Sequence, residues 1–560
     1  MNSPIETSVL IIGGGPVGLA LALDLNHQGI ACLVTEQDAG TALEVQAKAG
    51  THNERSMEFC RRWGVIDEIA ASYPEDEARD TVYCTAIDGH YIGRSKVASA
   101  RDRGVPAVGP EMMRRCAQNQ FDPILARSVQ AGAHSELRYN LKFESFVQDD
   151  DDVTSTLHDL VSGQAIQVRS RYLVGCDGAG STIRKALGIP FDLIKQMGFS
   201  LSAMLRIDKP EQHIRFGSLE RLMFIGPEGT WANMTSVDGQ GLWRFTVVGA
   251  ESALSPETYD IASVVRRAFG GLDIPYTIER VVPWRRAQTL ARSYGQGRVW
   301  LAGDALHTTS PTGGHGLNTG VGDATDLSWM LAARVNGWGG EALLDAYTIE
   351  RRPVAQRNLG SATENYQAWV GSGMGNVTLD GPVGEAARRN IGNSMVVSLH
   401  QEWSSQGIAL GYRYDTSPLI VPDGSVPTTD HPSFYVPTAR PGHRAPHAWL
   451  TDGRSTLDLF GREFVLLCFG GAAEQGEKLV QAARAIAMPM RLEAIDQPEV
   501  AALYERQLVL VRPDGHVAWR SNVLPDADDV RALIDTVRGA LMPHDATHTP
   551  VAPSKVDLSH

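Results

Sequence analysis

Cysteine is scarce in this 560-residue chain: six residues, Cys32, Cys60, Cys84, Cys116, Cys176 and Cys468, at neither metal-ligand nor disulfide spacings. That scarcity excludes a structural zinc site and a disulfide framework, so no metal is expected and a cytoplasmic, reducing location is. No apolar run approaches membrane-spanning length, and an apolar strand starts within a few residues of Met1, leaving no room for a signal peptide. Positive charge is short as well. With 51 Lys and Arg against 65 Asp and Glu the net charge is −14, which argues against nucleic acid and anionic membranes as partners. At 43% hydrophobic and 21% charged residues, the chain is an ordinary globular protein with core enough for roughly two to four domains. Internal repeats are lacking too, apart from one architecture that occurs twice.

The first copy is the strand Val9-Leu10-Ile11-Ile12, the turn Gly13-Gly14-Gly15-Pro16-Val17-Gly18 and a helix over residues 19–26. Gly13, Gly15 and Gly18 stand at the three glycine positions of a dinucleotide fingerprint, allowing a tight turn, close approach of pyrophosphate, and helix–strand packing. The helix N-terminus that follows this turn, with Pro16 in the turn itself, favours that negative charge. Glu36, with Gln37 beside it, ends the strand Cys32-Leu33-Val34-Thr35 near the spacing of the acid that takes a ribose hydroxyl. The second copy is Val299-Trp300-Leu301-Ala302-Gly303-Asp304, then Pro311-Thr312-Gly313-Gly314-His315-Gly316-Leu317-Asn318 before a helix over residues 319–333. Asp304 is placed to accept the hydroxyls of a polyol such as a ribityl chain. N–H groups at the start of that helix suit the pyrimidine edge of a reduced flavin. Two such sites some three hundred residues apart point to one large cofactor held from both ends, FAD.

These motifs resemble those of the single-component FAD-dependent aromatic hydroxylases, the class A flavoprotein monooxygenases of the p-hydroxybenzoate hydroxylase, phenol hydroxylase and 2,4-dichlorophenol 6-monooxygenase type. The match includes Gly303-Asp304-Ala305-x-His307, Pro311, Gly313-Gly314-x-Gly316-Leu317-Asn318 and Asp323. The segment from Tyr172 through Asp177, Gly178 and Arg184 is similar to the family's Asp-Gly motif, associated with both FAD and NAD(P)H. Residues 343–353 are similar to its closing helix, and Gln118, after Cys116-Ala117, to the glutamine that approaches the flavin. The resemblance implies an α/β fold: a Rossmann-like FAD-binding domain interleaved with a mixed-sheet substrate domain, plus a C-terminal thioredoxin-like domain. It implies that NADPH or NADH reduces FAD, that O2 adds to give a C4a-hydroperoxide, and that a phenolic ring is hydroxylated. With one dinucleotide fold visible, the nicotinamide cofactor would bind transiently and the flavin would swing to meet it. A homodimer is the expected assembly.

The FAD part is expected at residues 1–75, 105–190 and 285–365, and the substrate sheet at 80–104 and 191–284. A connector at 366–435, a thioredoxin-like domain at 436–543 and a disordered tail at 544–560 follow. The C-terminal domain lacks Cys-x-x-Cys, so it is expected to be structural. The family's Arg-Ala appears here as Lys48-Ala49, with Gly50 where relatives place an acid or a histidine. Lys48 is assigned to the cofactor, and His52 is the candidate base, a hydrogen-bonded structural histidine being the competing reading. Pro311 is the second catalytic candidate, stiffening the wall beside the reactive flavin edge. Arg215, Met223, Trp231, Asn233 and Arg244 are the candidates for the substrate pocket. Two other functions remain open: a hydroxylase tailoring anthracycline- or tetracycline-type polyketides, and a flavin-binding oxidase or non-hydroxylating subunit.

Overall fold

The computed structural model describes residues 4–41, 48–370 and 374–540; the expected tail at 544–560 lies outside them. The first layer is an eight-stranded sheet whose centre is parallel: Val299–Leu301, Ala165–Gly175, Ile5–Ile12, Cys32–Thr35 and Ser135–Arg138 lie side by side. Val9, Leu10, Ile11 and Val34 have no exposed surface, as a parallel strand covered on both faces requires. The helices Pro16–His27, Gln118–Ala131 and His315–Val335 pack on one another against this sheet. The hairpin Leu141–Gln148 and Val153–Asp159 hangs from one side, with Asp149 to Asp152 at its exposed tip.

Both fingerprint helices begin earlier than the apolar pattern predicts. Pro16 occupies the first helical position, where its missing N–H costs nothing. At the second site Gly313 and Gly314 both take positive φ, +85° and +67°, so the turn is finished at Gly314 and the helix starts at His315. Gly316 to Asn318 therefore form its first turn.

The second sheet joins two distant stretches of chain. Arg221–Gly226 pairs in parallel with Thr81–Cys84, which brings the strand Tyr91–Ser95 to the edge of a sheet otherwise built from residues 191–291. One face, with Leu201, Leu222, Phe224, Met234 and Phe245, packs on the helix Ile261–Phe269. At its other edge Tyr276–Ala291 pairs with His307–Thr308, so this sheet is hydrogen-bonded directly to the second fingerprint. The helix Leu343–Val370 runs unbroken through residue 366, the expected start of the connector. Beyond it, Gly381–Ser398 lies on the strand Tyr91–Ser95 so closely that a Cβ on Gly392 would meet the Ile92 carbonyl oxygen at 2.2 Å. This segment contributes Met395 and Leu399 to a core with Tyr83 and Met223, so it is part of the substrate layer and not a spacer.

The C-terminal layer is a four-stranded sheet in the order Met490–Ile495, Phe464–Phe469, Leu508–Val511, Val517–Ser521, flanked by helices in the thioredoxin-like manner. Pro513, Asp514 and Gly515 turn its last hairpin, Gly515 at φ +87°. Phe464 stacks edge-on against Trp329 and Trp338 of the first layer, at 5.9 and 6.1 Å.

Candidate active site

The first fingerprint has the steric form that a pyrophosphate site needs. A Cβ on Gly13 would lie 2.3 Å from the Cys176 carbonyl oxygen, and one on Gly18 2.0 Å from that of Gly13. Nothing lies within 4 Å of the position a Cβ would take on Gly15, the residue that caps the helix beginning at Pro16. Glu36 accepts from the Gly14 N–H at 2.8 Å and the Asp38 N–H at 3.0 Å, which fixes its carboxylate at the strand end; Gln37 beside it is exposed. Asp177 caps the helix Thr182–Ala186 through the N–H groups of Thr182 and Ile183, at 2.7 and 3.2 Å, while its Oδ1 is buried without a partner. Gly178 supplies the positive φ of that turn, +75°. The Arg184 guanidinium is turned away from the turn. It donates to the Ile189 carbonyl at 2.7 Å and lies 3.8 Å over Phe191.

At the second fingerprint Gly303, at φ +64°, lets the chain pass Val17, and its N–H donates to Asp323 at 3.3 Å. Asp323 also receives His307 Nε2 at 2.7 Å and Arg351 Nε at 2.9 Å, all with almost no exposed surface. Burial alone would raise its pKa; the charges of His307 and Arg351 outweigh that and hold it below the usual carboxylate range. Asp304 follows Gly303 directly; its side chain is exposed at the surface of the site and accepts from no donor among the described residues, although the protein packed around it still desolvates it. Burial raises its pKa, and His307 and Lys48 pull it back. Lys48 also acts on Asp122, whose pKa burial lifts to about 7 and the Gln118 hydrogen bond lowers. Gln118 itself bridges the Ala49 N–H and Asp122. Asn318 accepts from the Asn53 N–H and Ser56 Oγ, at 2.9 and 2.7 Å, and donates to the Thr51 carbonyl at 3.0 Å. Leu317 packs on the core beneath. Open space at Gly15, the unpartnered Asp304 and a helix N-terminus opened by two glycines together fit FAD, with Gly13 to Gly18 and Glu36 at one end and Asp304 and Gly314 to Asn318 at the other.

The loop before that helix is pinned from within. Thr312 Oγ1 donates to the Ala362 carbonyl at 2.8 Å and meets Ser310 Oγ at 3.0 Å, both residues fully buried, while Pro311 between them is exposed. The substrate sheet turns one face toward this loop. Met223, Asn233, Thr246 and Ser202 are cross-strand neighbours on it, with Arg244 beside Met204. Arg244 donates to the Lys48 carbonyl at 2.6 Å, and burial together with Arg115 and Arg221 lowers its pKa to about 10.

Three expectations are corrected. His52 is fully buried, bonds the Cys116 carbonyl through Nε2 at 2.9 Å and stacks on Phe121 at 4.1 Å; burial lowers its pKa to about 4. With no exposed surface, and with Nδ1 buried without a partner, it is placed as a structural histidine and not as a base facing the pocket. Trp231 packs behind the sheet with Phe224 and under Arg267, because the register shifts between Phe224 and Ile225 opposite it and reverses the facing of the side chains. Arg215 lies at the sheet's rim, exposed, bonded to the Gly89 carbonyl and stacked on Phe216. The sequence reading missed Arg286, buried on the pocket face. The alternation of Trp284, Arg286 and Gln288 along one strand was the available signal.

Comparison with known proteins agrees with this geometry. A model of the FAD binding domain matches residues 6–362, and one of the aromatic-ring hydroxylase C-terminal domain matches residues 438–540. The tetracenomycin B2 monooxygenase-dioxygenase of Streptomyces olivaceus is 32% identical, over 96% of this chain and 99% of that one. The 4-methyl-5-nitrocatechol 5-monooxygenase of a Burkholderia species is also 32% identical, over 96% and 98%. The structure of the rebeccamycin biosynthetic enzyme RebC with reduced flavin superimposes with a TM-score of 0.88 at 40% identity, covering 96% of this chain and all of the other. The chain belongs to the FAD-dependent aromatic-ring hydroxylases, the class A flavin monooxygenases.

Proposed function

We propose that this hydroxylase takes an electron-rich phenolic ring into the space between the pocket face of the substrate sheet and the loop at residues 308–314. The single observation that carries the reading is that Met223, Asn233 and Arg244 share the sheet face that is tied to the cofactor side, through Arg244 and the Lys48 carbonyl and through the pairing of residues 289–290 with 307–308. Bound FAD would supply the redox chemistry, passing electrons from NAD(P)H to O2. The chain's own part is to hold Asp304, Asn318 and the helix N-terminus in place, to keep water from the ring, and to favour the ionised phenol. For the last task Arg115, Arg79 and Arg221 hold the Glu220 carboxyl down at about 2 against the opposing effect of burial, and the half-buried Arg244 lies beside them. More cations than acids converge there, which suits a phenolate without a dedicated base. One dinucleotide fold among the described residues supports a transient, surface-bound nicotinamide cofactor. The six described cysteines, all free, support a cytoplasmic location.

A second reading is favoured by one observation: relatives similar over nearly the whole length include the tetracenomycin enzyme and RebC, so a fused-ring polyketide or related polycycle is the alternative substrate. A panel of monocyclic phenols and fused-ring phenols, read by NAD(P)H consumption and product mass, decides between them. Hydroxylated product from one class supports that class. No product from either, with FAD bound and reduced normally, overturns both.

A further inference from the structure

Nine arginines are buried among the described residues. Arg55, Arg79, Arg351, Arg444, Arg512 and Arg520 each meet a carboxylate. Arg184 and Arg388 donate to backbone carbonyls instead. Arg286, 3% exposed, does neither. Its Nη1 donates to the Ser310 hydroxyl at 3.2 Å, and its guanidinium lies 4.5 Å from the Tyr366 ring and 5.0 Å from the Trp284 ring. Nε and Nη2 have no acceptor among the described residues.

A buried guanidinium without an anion is costly, because rings and a hydroxyl replace only part of the water it loses. Burial brings its pKa down to about 10, so the charge is still present at neutral pH. The surrounding cage is fixed. Trp284 Nε1 donates to Ser202 Oγ at 2.9 Å, and the Tyr366 hydroxyl donates to the Met197 carbonyl at 3.2 Å. Those rings hold the guanidinium plane while its free N–H edge remains unused. Ser310, its one hydrogen-bond partner, immediately precedes Pro311 on the loop that leads to the flavin helix. The missing partner therefore belongs to whatever enters beside that loop.

We propose that Arg286 is an anion subsite of the substrate pocket, which receives a negatively charged oxygen of the aromatic substrate, a phenolate or a ring carboxylate. The planar fork of an arginine suits either, and takes a carboxylate by two parallel hydrogen bonds. The inference rests on the hydroxylase reading for its ligand class. It goes beyond that reading in assigning charge to the substrate and a specificity role to one residue.

The test uses FAD-loaded enzyme and paired probes: 2-naphthoate against neutral 2-naphthamide for the carboxylate, and 4-nitrophenol followed across its own ionisation for the phenolate. Binding is read from the change in flavin absorbance. Wild type is expected to bind at least one anionic form about tenfold tighter than its neutral counterpart, the worth of one charge-assisted bond. R286Q should lose that preference and R286K keep part of it, with FAD content unchanged. If R286Q folds poorly, R286M keeps an apolar stem between the two rings and carries the same comparison. Equal binding of charged and neutral forms by wild type, or a preference that survives in R286Q and R286M, overturns the subsite. So does a variant that loses FAD affinity and not anion selectivity. The two readings fail separately. Anion selectivity with no hydroxylated product from any phenol would sink the hydroxylase reading alone, and undiminished hydroxylation by R286Q would sink the subsite alone.

Discussion

Burial shifts His52 and Asp122 in opposite directions and gives them opposite pH signatures. His52 has its pKa lowered to about 4, against about 6.5 in an unfolded chain. Above pH 6.5 both states are neutral; below it the unfolded chain takes up a proton that the folded protein refuses, so stability is lost as pH falls from 6.5 toward 4. The shift corresponds to on the order of 3 kcal/mol. His52→Gln can still donate to the Cys116 carbonyl, so its melting temperature should improve relative to wild type between pH 7.5 and pH 5. A gap that does not change with pH would count against a neutral, buried His52. Asp122 is the reverse case, raised to about 7 chiefly by burial. The folded protein holds a proton that the unfolded chain releases near pH 4, so stability is lost as pH rises through 7. Asp122→Asn should therefore gain on wild type from pH 5 to pH 8, and paired thermal melts at the two values check it.

At the scale of elements, the loop at 308–314 owes its stiffness more to buried hydroxyls than to proline. Thr312 bonds both Ala362 and Ser310, whereas Pro311 is exposed and fixes only its own φ and that of the residue before it. Losing the Thr312 hydroxyl strands a buried carbonyl at a cost of roughly 1–3 kcal/mol. Thr312→Val should consequently raise H2O2 release and lower product per NAD(P)H, and Pro311→Gly should do so to a smaller degree. Equal product-to-NAD(P)H ratios in all three proteins would remove this loop from the protection of the reaction. The element scale also explains what could be read in advance. The two fingerprints were legible because their signals are local: an apolar run, glycines where a Cβ would strike a carbonyl, an acid at a strand end. Face assignments on the substrate sheet were not. Trp231 and Asn233 should share a face by alternation, and only the bulge opposite Trp231 separates them. The burial of His52 depends on Phe121 and Cys116, more than sixty residues away in sequence, and no local pattern reports it.

Across the whole molecule, the C-terminal domain is wired to the flavin site by buried charge. Arg512 holds Glu350 through two bonds of 2.6 and 2.8 Å and also pairs with Asp514. Beside Glu350 on the same helix, Arg351 reaches Asp323, which holds His307 and the Gly303 N–H. Asp326, Glu350 and Asp514 lie close together; Arg512 pairs with Glu350 and Asp514, Arg351 lies 3.8 Å from Asp326, and burial lifts the Asp326 pKa to about 7. Removing one partner of a buried pair costs roughly 3–5 kcal/mol. Arg512→Ala should then lower the melting temperature of the holoenzyme and speed FAD loss, although Arg512 lies in a different domain from the cradle. FAD release at the wild-type rate would show the two ends to be uncoupled. Cys468 belongs to the same domain but carries no chemistry. It is 2% exposed and burial lifts its thiol to about 12, so it is not a thiolate at neutral pH. Cys468→Ser should leave turnover unchanged, and a loss of coupled hydroxylation with intact FAD would contradict that.

The central claim is that this chain uses noncovalent FAD to place one oxygen atom from O2 onto a phenolic ring. The most direct measurement incubates the holoenzyme with NAD(P)H, the phenol panel and isotopically heavy O2, and weighs the product. The account predicts FAD released by acid precipitation, and a product carrying one heavy oxygen for each NAD(P)H productively consumed. A product whose new oxygen came from water, or NAD(P)H oxidation yielding only peroxide with every phenol offered, would contradict it.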